Sequence, residues 1–318
     1  MIFYCLGIDH RKTDLATREQ AYFKKRQILE FWRQPARKAE VLFTCNRIEI
    51  YGFSQSRSAL EEAVSAFKRE LAPLFKQAYL KLGTDEVTGH ALRLACGLES
   101  QILAEKQIFL QLQSWLGEET FLWPLKQLWL EVLAKTKGLR QSLALEGLSS
   151  SLSDIVLEDL ILNTGWGLRK KVLIVGTGKV AESFSETKFP DIDLYFFARK
   201  SINQARRLAK NSAAKVFLLK YLPGQLLTAD SLITASSSPH YILKKEFLAA
   251  ALTLRKRPLY IYDLALPRDI QPQAKEIPQV VLKNLEDLAE NFRRHNEALF
   301  QSRQPAEPIS FTASRGSV

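Results

Sequence analysis

The stretch KVLIVGTGKVAESF, Lys171–Phe184, reads as an apolar strand, a glycine turn and the first turns of a helix. Within it Gly176, Thr177, Gly178, Lys179, Val180 and Ala181 spell G-x-G-x-x-A. The motif carries weight when a strand precedes it and a helix follows. The first glycine then allows a tight turn, the second lets backbone N–H groups approach a pyrophosphate, and Ala181 stays small where helix meets strand. A tight turn in an α/β domain that binds no nucleotide is the plainer alternative. Outward from this stretch, DLYFFARKSINQARRLAK (193–210) is again strand then helix. SLITASSS (231–238) and PLYIYDLALP (258–267) are further buried strands with a helix between them. Alternating units of this length predict a parallel sheet with helices on both faces.

The residues after the second strand bear on which nucleotide would bind. A carboxylate about 20 positions on is expected where a ribose 2′-hydroxyl is recognised. Here Arg199, Lys200 and Ser201 stand instead. Two cations and a hydroxyl suit a 2′-phosphate, because guanidinium grips phosphate in a planar fork. NADPH is therefore the expected cofactor. The run TASSSPH (234–240) is expected to line its nicotinamide side.

The first 148 residues have a different rhythm. MIFYCLGI reads as a strand, and 18–33 as one helix with Ala21, Ile28, Leu29 and Trp32 inward. VLFT and IEIYGF read as paired strands of a hairpin, helical spacing returns at 58–75, and 86–145 reads as several helices. A small antiparallel sheet with helices on it, an α+β domain, is predicted. Leu285–Gln301 reads as a charged helix and 302–318 as a disordered Pro/Ser-rich tail.

Of the net charge of +11, eight charges fall within 165–220, which suits either a solvated surface or a phosphate-rich ligand. Three widely spaced cysteines imply neither a disulfide framework nor a zinc site, and fit a reducing cytoplasm. No basic segment precedes the first apolar run, and no run approaches the length of a membrane helix.

Between the two hairpin strands lies Cys45, flanked by Thr44, Asn46 and Arg47. Free cysteine is usually a small buried hydrophobe. A thiol in a turn beside an arginine can instead be a nucleophile, with Arg47 either assisting its ionisation or holding a substrate carboxylate.

Here a resemblance appears. FTCNRIEIY (43–51) resembles the S-T-C-N-R-T-E-I-Y signature of the glutamyl-tRNA reductase family. LGIDHRKTDLATREQAYF (6–23), HALRLACGLESQILAEKQIFLQLQ (90–113), PLYIYDLALPRDIQP (258–272) and NLEDLAENFRRHNEAL (284–299) resemble further blocks of that family, in order. The resemblance implies a catalytic domain over 1–148, a Rossmann-like NADPH domain over 149–283, and a connecting helix with tail over 284–318. It implies that Cys45 attacks the ester of glutamyl-tRNA(Glu), and that NADPH then reduces the thioester to glutamate-1-semialdehyde, the first step of five-carbon tetrapyrrole biosynthesis. His90 would give a proton to the departing ribose hydroxyl. Thr44, Asn46, Arg47, Ser100, Glu105, Lys106, Gln107 and Gln111 would surround the glutamate. An aminomutase is the implied recipient of the product.

Some positions depart from the family pattern. Glu99 replaces aspartate, Cys96 replaces serine, and Ala104 and Lys106 replace the glycine and proline around Glu105. The family's helical dimerisation domain is not expected within this chain, which leaves a homodimer open. Two other functions compete: a shikimate-type NADP dehydrogenase, which would need no Cys45, and a non-catalytic binder of tRNA or NADPH.

Overall fold

The computed structural model describes residues 1–301, apart from 35, 118–120, 146–150, 166, 188, 190, 200, 201 and 213. The expected disordered tail and the cofactor candidates Lys200 and Ser201 lie outside the described residues. Two compact units result: Met1–Ser149 with the residues from His295 on, and Ser150–Arg294.

The first unit contains β1 (Ile2–Asp9), α1 (Leu15–Phe23), α2 (Lys25–Trp32), β2 (Ala39–Phe43), β3 (Arg47–Ser54), α3 (Arg57–Glu70), β4 (Tyr79–Leu82), α4 (Thr84–Ala95), α5 (Gln107–Leu116) and α6 (Trp123–Ser142). Its antiparallel sheet has the order β2-β3-β1-β4. Side chains alternate across a strand, and here both faces are covered. Tyr4, Leu6, Ile8, Ile48 and Ile50 face one apolar cluster with Ile28, Trp32 and Phe67. Cys5, Tyr51 and Phe53 face the other, with Ala91, Leu112 and Trp129.

The single helix expected over 18–33 is two helices. The chain breaks at Lys24, whose backbone N–H closes the end of α1 on Ala21 and Gln20. No glycine or proline marks that break. The helix expected over 58–75 ends at Glu70, and Leu71 and Leu74 are buried from the turns that follow it.

The second unit contains α7 (Leu152–Thr164), β5 (Lys170–Val175), α8 (Lys179–Glu186), β6 (Ile192–Ala198), α9 (Ile202–Ser212), β7 (Lys215–Leu218), α10 (Leu222–Leu226), β8 (Ser231–Thr234), α11 (Lys245–Leu252), β9 (Leu259–Asp263) and β10 (Val280–Asn284). Its six strands are parallel, in the order β7-β6-β5-β8-β9-β10. That order reverses direction between β5 and β8, the switch point where doubly wound sheets open a crevice at their carboxyl ends. The last helix, α12 (Ala289–Gln301), starts four residues later than its sequence suggests. Within the second unit Asp159 on α7 accepts from Tyr262 Oη at 2.7 Å, Lys283 Nζ at 2.7 Å and Asn291 Nδ2 at 2.9 Å, tying four elements to one carboxylate.

Candidate active site

Thr44, Cys45 and Asn46 form the turn between β2 and β3. Thr44 N–H donates to the Arg47 carbonyl at 2.9 Å, and Thr44 Oγ1 accepts from the N–H groups of Arg47 and Asn46. Cys45 is half-buried at the tip, while Cys5 and Cys96 are buried. Arg18 Nε donates to the Cys45 carbonyl at 3.3 Å. Asn46 Oδ1 is buried with no hydrogen-bond partner among the described residues. That acceptor is poised for a donor such as a ligand ammonium.

Burial pushes the Cys45 thiol up to about 11, and the neighbouring Glu105 carboxylate adds to the rise against Arg18 and Arg47. Burial also lifts Glu105 to about 7, opposed by Arg47. Glu105 therefore gains its charge as pH rises through neutrality and resists thiolate formation nearby. Glu105→Gln should lower the Cys45 pKa and speed alkylation by iodoacetamide at pH 8 several-fold. An unchanged rate, read by intact mass, would show that the two groups do not sense each other.

A second layer lies beneath the turn. Because β3 alternates, Arg47, Glu49 and Tyr51 share its inner face, opposite Asp9, Gly7 and Cys5 on β1. Glu49 accepts from Arg47 Nη1 at 2.9 Å and from Tyr51 Oη at 2.7 Å, and Tyr79 Oη donates a short bond to it. His90 Nε2, from α4, lies 2.9 Å from the same carboxylate. A Cβ on Gly7 would stand 2.8 Å from Glu49 Cγ, so glycine there makes the space. Burial alone would raise the Glu49 pKa, but His90 and Arg47 hold it well below the usual carboxylate range. Burial opposes charge on His90, yet the Glu49 carboxylate it bonds, with Cys5 close by and Glu99 3.5 Å from Nδ1, carries it up to about 11. The Glu49 carboxylate thus favours the protonated form of His90 in the interior. Arg47 also donates to the Glu99 carbonyl and is 1% exposed, so it acts on the turn through its field.

The loop 97–106 carries Ser100, Glu105 and Lys106, and α5 continues with Gln107 and Gln111 one turn apart on one face. Gly97 has φ +79°, and a Cβ on it would lie 2.8 Å from the Glu105 nitrogen. Arg140 donates to the carbonyls of Cys96 and Ala104, at 2.7 and 3.0 Å. Asn296 accepts from Leu103 N–H and donates to the Gln101 carbonyl, at 2.9 and 2.8 Å. Ala104, at φ +61°, occupies the left-handed region that glycine favours. The substitution noted there puts backbone strain next to Glu105. Sequence reasoning missed the Arg140 and Asn296 clamps.

In the second unit Gly176 has φ +130°, and a Cβ on it would meet the Ala235 carbonyl oxygen at 2.4 Å. A Cβ on Gly178 would meet nothing within 4 Å. Gly178 therefore faces open space at the start of α8, which fits a pyrophosphate there. Gln204 Nε2 donates to the Thr177 carbonyl at 2.7 Å and steadies the turn, another contact the sequence did not disclose. The groove outside β5, β6 and β8 has a volume of about 940 Å³ and is lined by Thr177, Lys179, Val180, Arg199 and the segment 235–240. Ala181 is buried beneath it, and Arg199 is exposed at its edge. Asp269 accepts from Ser236 N–H and Oγ and holds the 235–240 segment in place.

Strand order, glycine turn and groove define a Rossmann-like unit of the dinucleotide-binding type. The family model "Glutamyl-tRNAGlu reductase, N-terminal domain" matches residues 6–120, and "Shikimate / quinate 5-dehydrogenase" matches 164–291. A glutamyl-tRNA reductase of Stutzerimonas stutzeri is 30% identical over 330 residues, covering 97% of this chain and 76% of the relative. One from Ectopseudomonas mendocina is 29% identical with the same coverage. Among solved structures, glutamyl-tRNA reductase from Methanopyrus kandleri aligns at 24% identity with a TM-score of 0.43, over 94% of this chain and 76% of that one. The chain belongs to the glutamyl-tRNA reductase family. The dehydrogenase match is confined to the nucleotide-binding unit, so it does not favour a shikimate-type enzyme for the whole chain.

Proposed function

We propose that this chain reduces glutamyl-tRNA(Glu) to glutamate-1-semialdehyde through a thioester on Cys45. The observation that carries the reading is the half-buried cysteine at the β2–β3 turn, in a chain of this family. Cys45 Sγ attacks the ester carbonyl; the bond to the ribose oxygen breaks, that oxygen takes up the proton the thiol has given up, and glutamate remains on sulfur. Arg18 and Arg47 favour the thiolate that attacks. Asn46 Oδ1 offers an acceptor for the substrate ammonium, and Thr44 shapes the turn. Ser100, Glu105, Lys106, Gln107 and Gln111 would contact the glutamate, and of these Glu105 is near enough to Cys45 to raise its thiol. His90 holds a proton, and with Glu49 it fixes the floor under Arg47.

When bound, a reduced pyridine nucleotide supplies the hydride that converts thioester to aldehyde. Gly176, Thr177, Gly178, Lys179, Val180 and Ala181 would hold its pyrophosphate, and Arg199 would select the 2′-phosphate of NADPH. This assigns catalysis to the first unit and cofactor binding to the second. The reaction belongs in a reducing cytoplasm, where thiols persist. The aldehyde product is reactive, and an aminomutase is the fitting recipient.

Incubation with glutamyl-tRNA(Glu) tests the reading: semialdehyde should form only with NADPH, and a covalent glutamyl-protein or slow ester hydrolysis should appear without it. Neither product would refute it. Arg199→Ala should raise KM for NADPH by about tenfold or more while leaving NADH nearly unchanged. Equal losses for both nucleotides would show that Arg199 does not read the 2′-phosphate.

A further inference from the structure

An acyl group esterified to the 3′ end of an RNA reaches Cys45 only if the preceding nucleotides lie on a neighbouring surface. The α1–α2 face has the chemistry for them. Residues 23–33 carry four cations and one anion. Phe23 is 55% exposed beside Lys24, Lys25 and Arg26, which are all exposed. Phe23, Lys25, Arg26, Leu29, Glu30 and Arg33 line a depression there. Lys25 Nζ lies 5.6 Å from the Tyr22 ring and 5.0 Å from the Phe43 ring, and those rings meet edge to face at 6.0 Å. Phe43 precedes Cys45 by two residues, about 7 Å of extended backbone.

Lys25 has no carboxylate partner among the described residues. Arg26 pairs with Glu30 across solvent, at 91% and 62% exposure. Such exposed pairs exchange readily for a phosphate. Cations interleaved with accessible aromatic faces are what single-stranded nucleic acid requires: charge for the backbone and rings for the bases.

We infer that the α1–α2 face, from Phe43 through Tyr22 and Lys25 to Phe23, holds the single-stranded 3′ end of the acylated RNA. This rests on the function proposed above. The terminal nucleotide sits at Cys45, and those before it run along the basic, aromatic strip away from the turn.

The test uses a fluorescent acceptor-arm RNA hairpin of tRNA(Glu), with its single-stranded 3′ end intact or trimmed blunt. The wild-type protein should prefer the intact hairpin. Phe23→Ala combined with Lys25→Ala should weaken binding of the intact hairpin about tenfold and leave the blunt one unchanged. The slope of log affinity against log salt should fall by about 0.7 for the lost cation. Arg57→Ala, on α3, should bind as wild type. Acylation of Cys45 by the RNA-free thioester S-glutamyl-N-acetylcysteamine should be equal in wild type and double variant, which separates RNA docking from a folding defect. If the double variant acylates poorly, Lys25→Gln alone must show the salt-slope change or the surface is wrong. Equal affinity for both hairpins, or a double variant that keeps the preference, overturns the surface assignment. Failure of the wild-type protein to take glutamate from intact glutamyl-tRNA(Glu) overturns the proposed function instead.

Discussion

Cys45→Ser should lower semialdehyde formation from glutamyl-tRNA(Glu) by at least about 1,000-fold and remove the acid-stable glutamyl-protein that accumulates without NADPH. The size of the effect follows from chemistry. Among the described residues no base hydrogen-bonds the side chain at that position to take a hydroxyl's proton, and an oxygen ester offers hydride a far less reactive carbonyl than a thioester. The thiol itself is held mostly protonated in the resting protein, at about 11, so the structure provides a nucleophile that needs substrate to activate it. An incoming ammonium near Asn46 and Glu105 would offset the carboxylate that raises the thiol. Cys96→Ser should label normally, because Cys96 is buried in a separate apolar cluster with Ala104 and Leu145. Radiolabelled glutamate on a denaturing gel, with a product assay alongside, reads both outcomes. Semialdehyde at more than a few per cent of the wild-type rate from Cys45→Ser would mean that another group makes the covalent bond.

Much of this site can be read from the chain because its parts are local. Gly176 and Gly178 lie on one turn, the strand before them is continuous and apolar, and the backbone at Gly176 needs what glycine alone supplies. Thr44, Cys45 and Asn46 sit between two alternating runs, so the turn follows from the pairing. What escaped reading is non-local or lacks punctuation. Asn296 and Arg140 reach the 97–106 loop from positions far along the chain, and neither has a motif. The break at Lys24 occurs within a run of good helix formers, where burial of Ala21 and Ile28 decides the bend. The inward turn of Arg47 and Glu49 was hidden for a different reason. Charged residues alternating with Ile48 and Ile50 normally mark a solvent face, but α4 covers that face and brings His90 to it.

That buried cluster yields the other large expectation. Glu49→Gln should destabilise the protein by about 3–5 kcal/mol, because Arg47 and His90 would lose the anion that compensates them in the interior. The pH dependence distinguishes this cause from simple loss of packing. Glu49 has a folded-state pKa well below its unfolded one, so its contribution is present above about pH 4.5 and is lost as pH falls. His90 is raised to about 11, so its contribution is complete below its unfolded value near 6.5 and fades as pH climbs towards 11. The stability gap between wild type and Glu49→Gln should therefore be widest between about pH 4.5 and 6.5 and should narrow on either side. Denaturant melts at a series of pH values measure this directly. A gap that stays constant from pH 4 to 10 would show that the carboxylate fills space without holding charge. The functional consequence follows from position: Arg47 begins the strand that leaves the Cys45 turn, and an Arg47 released from Glu49 no longer sets the field at the sulfur.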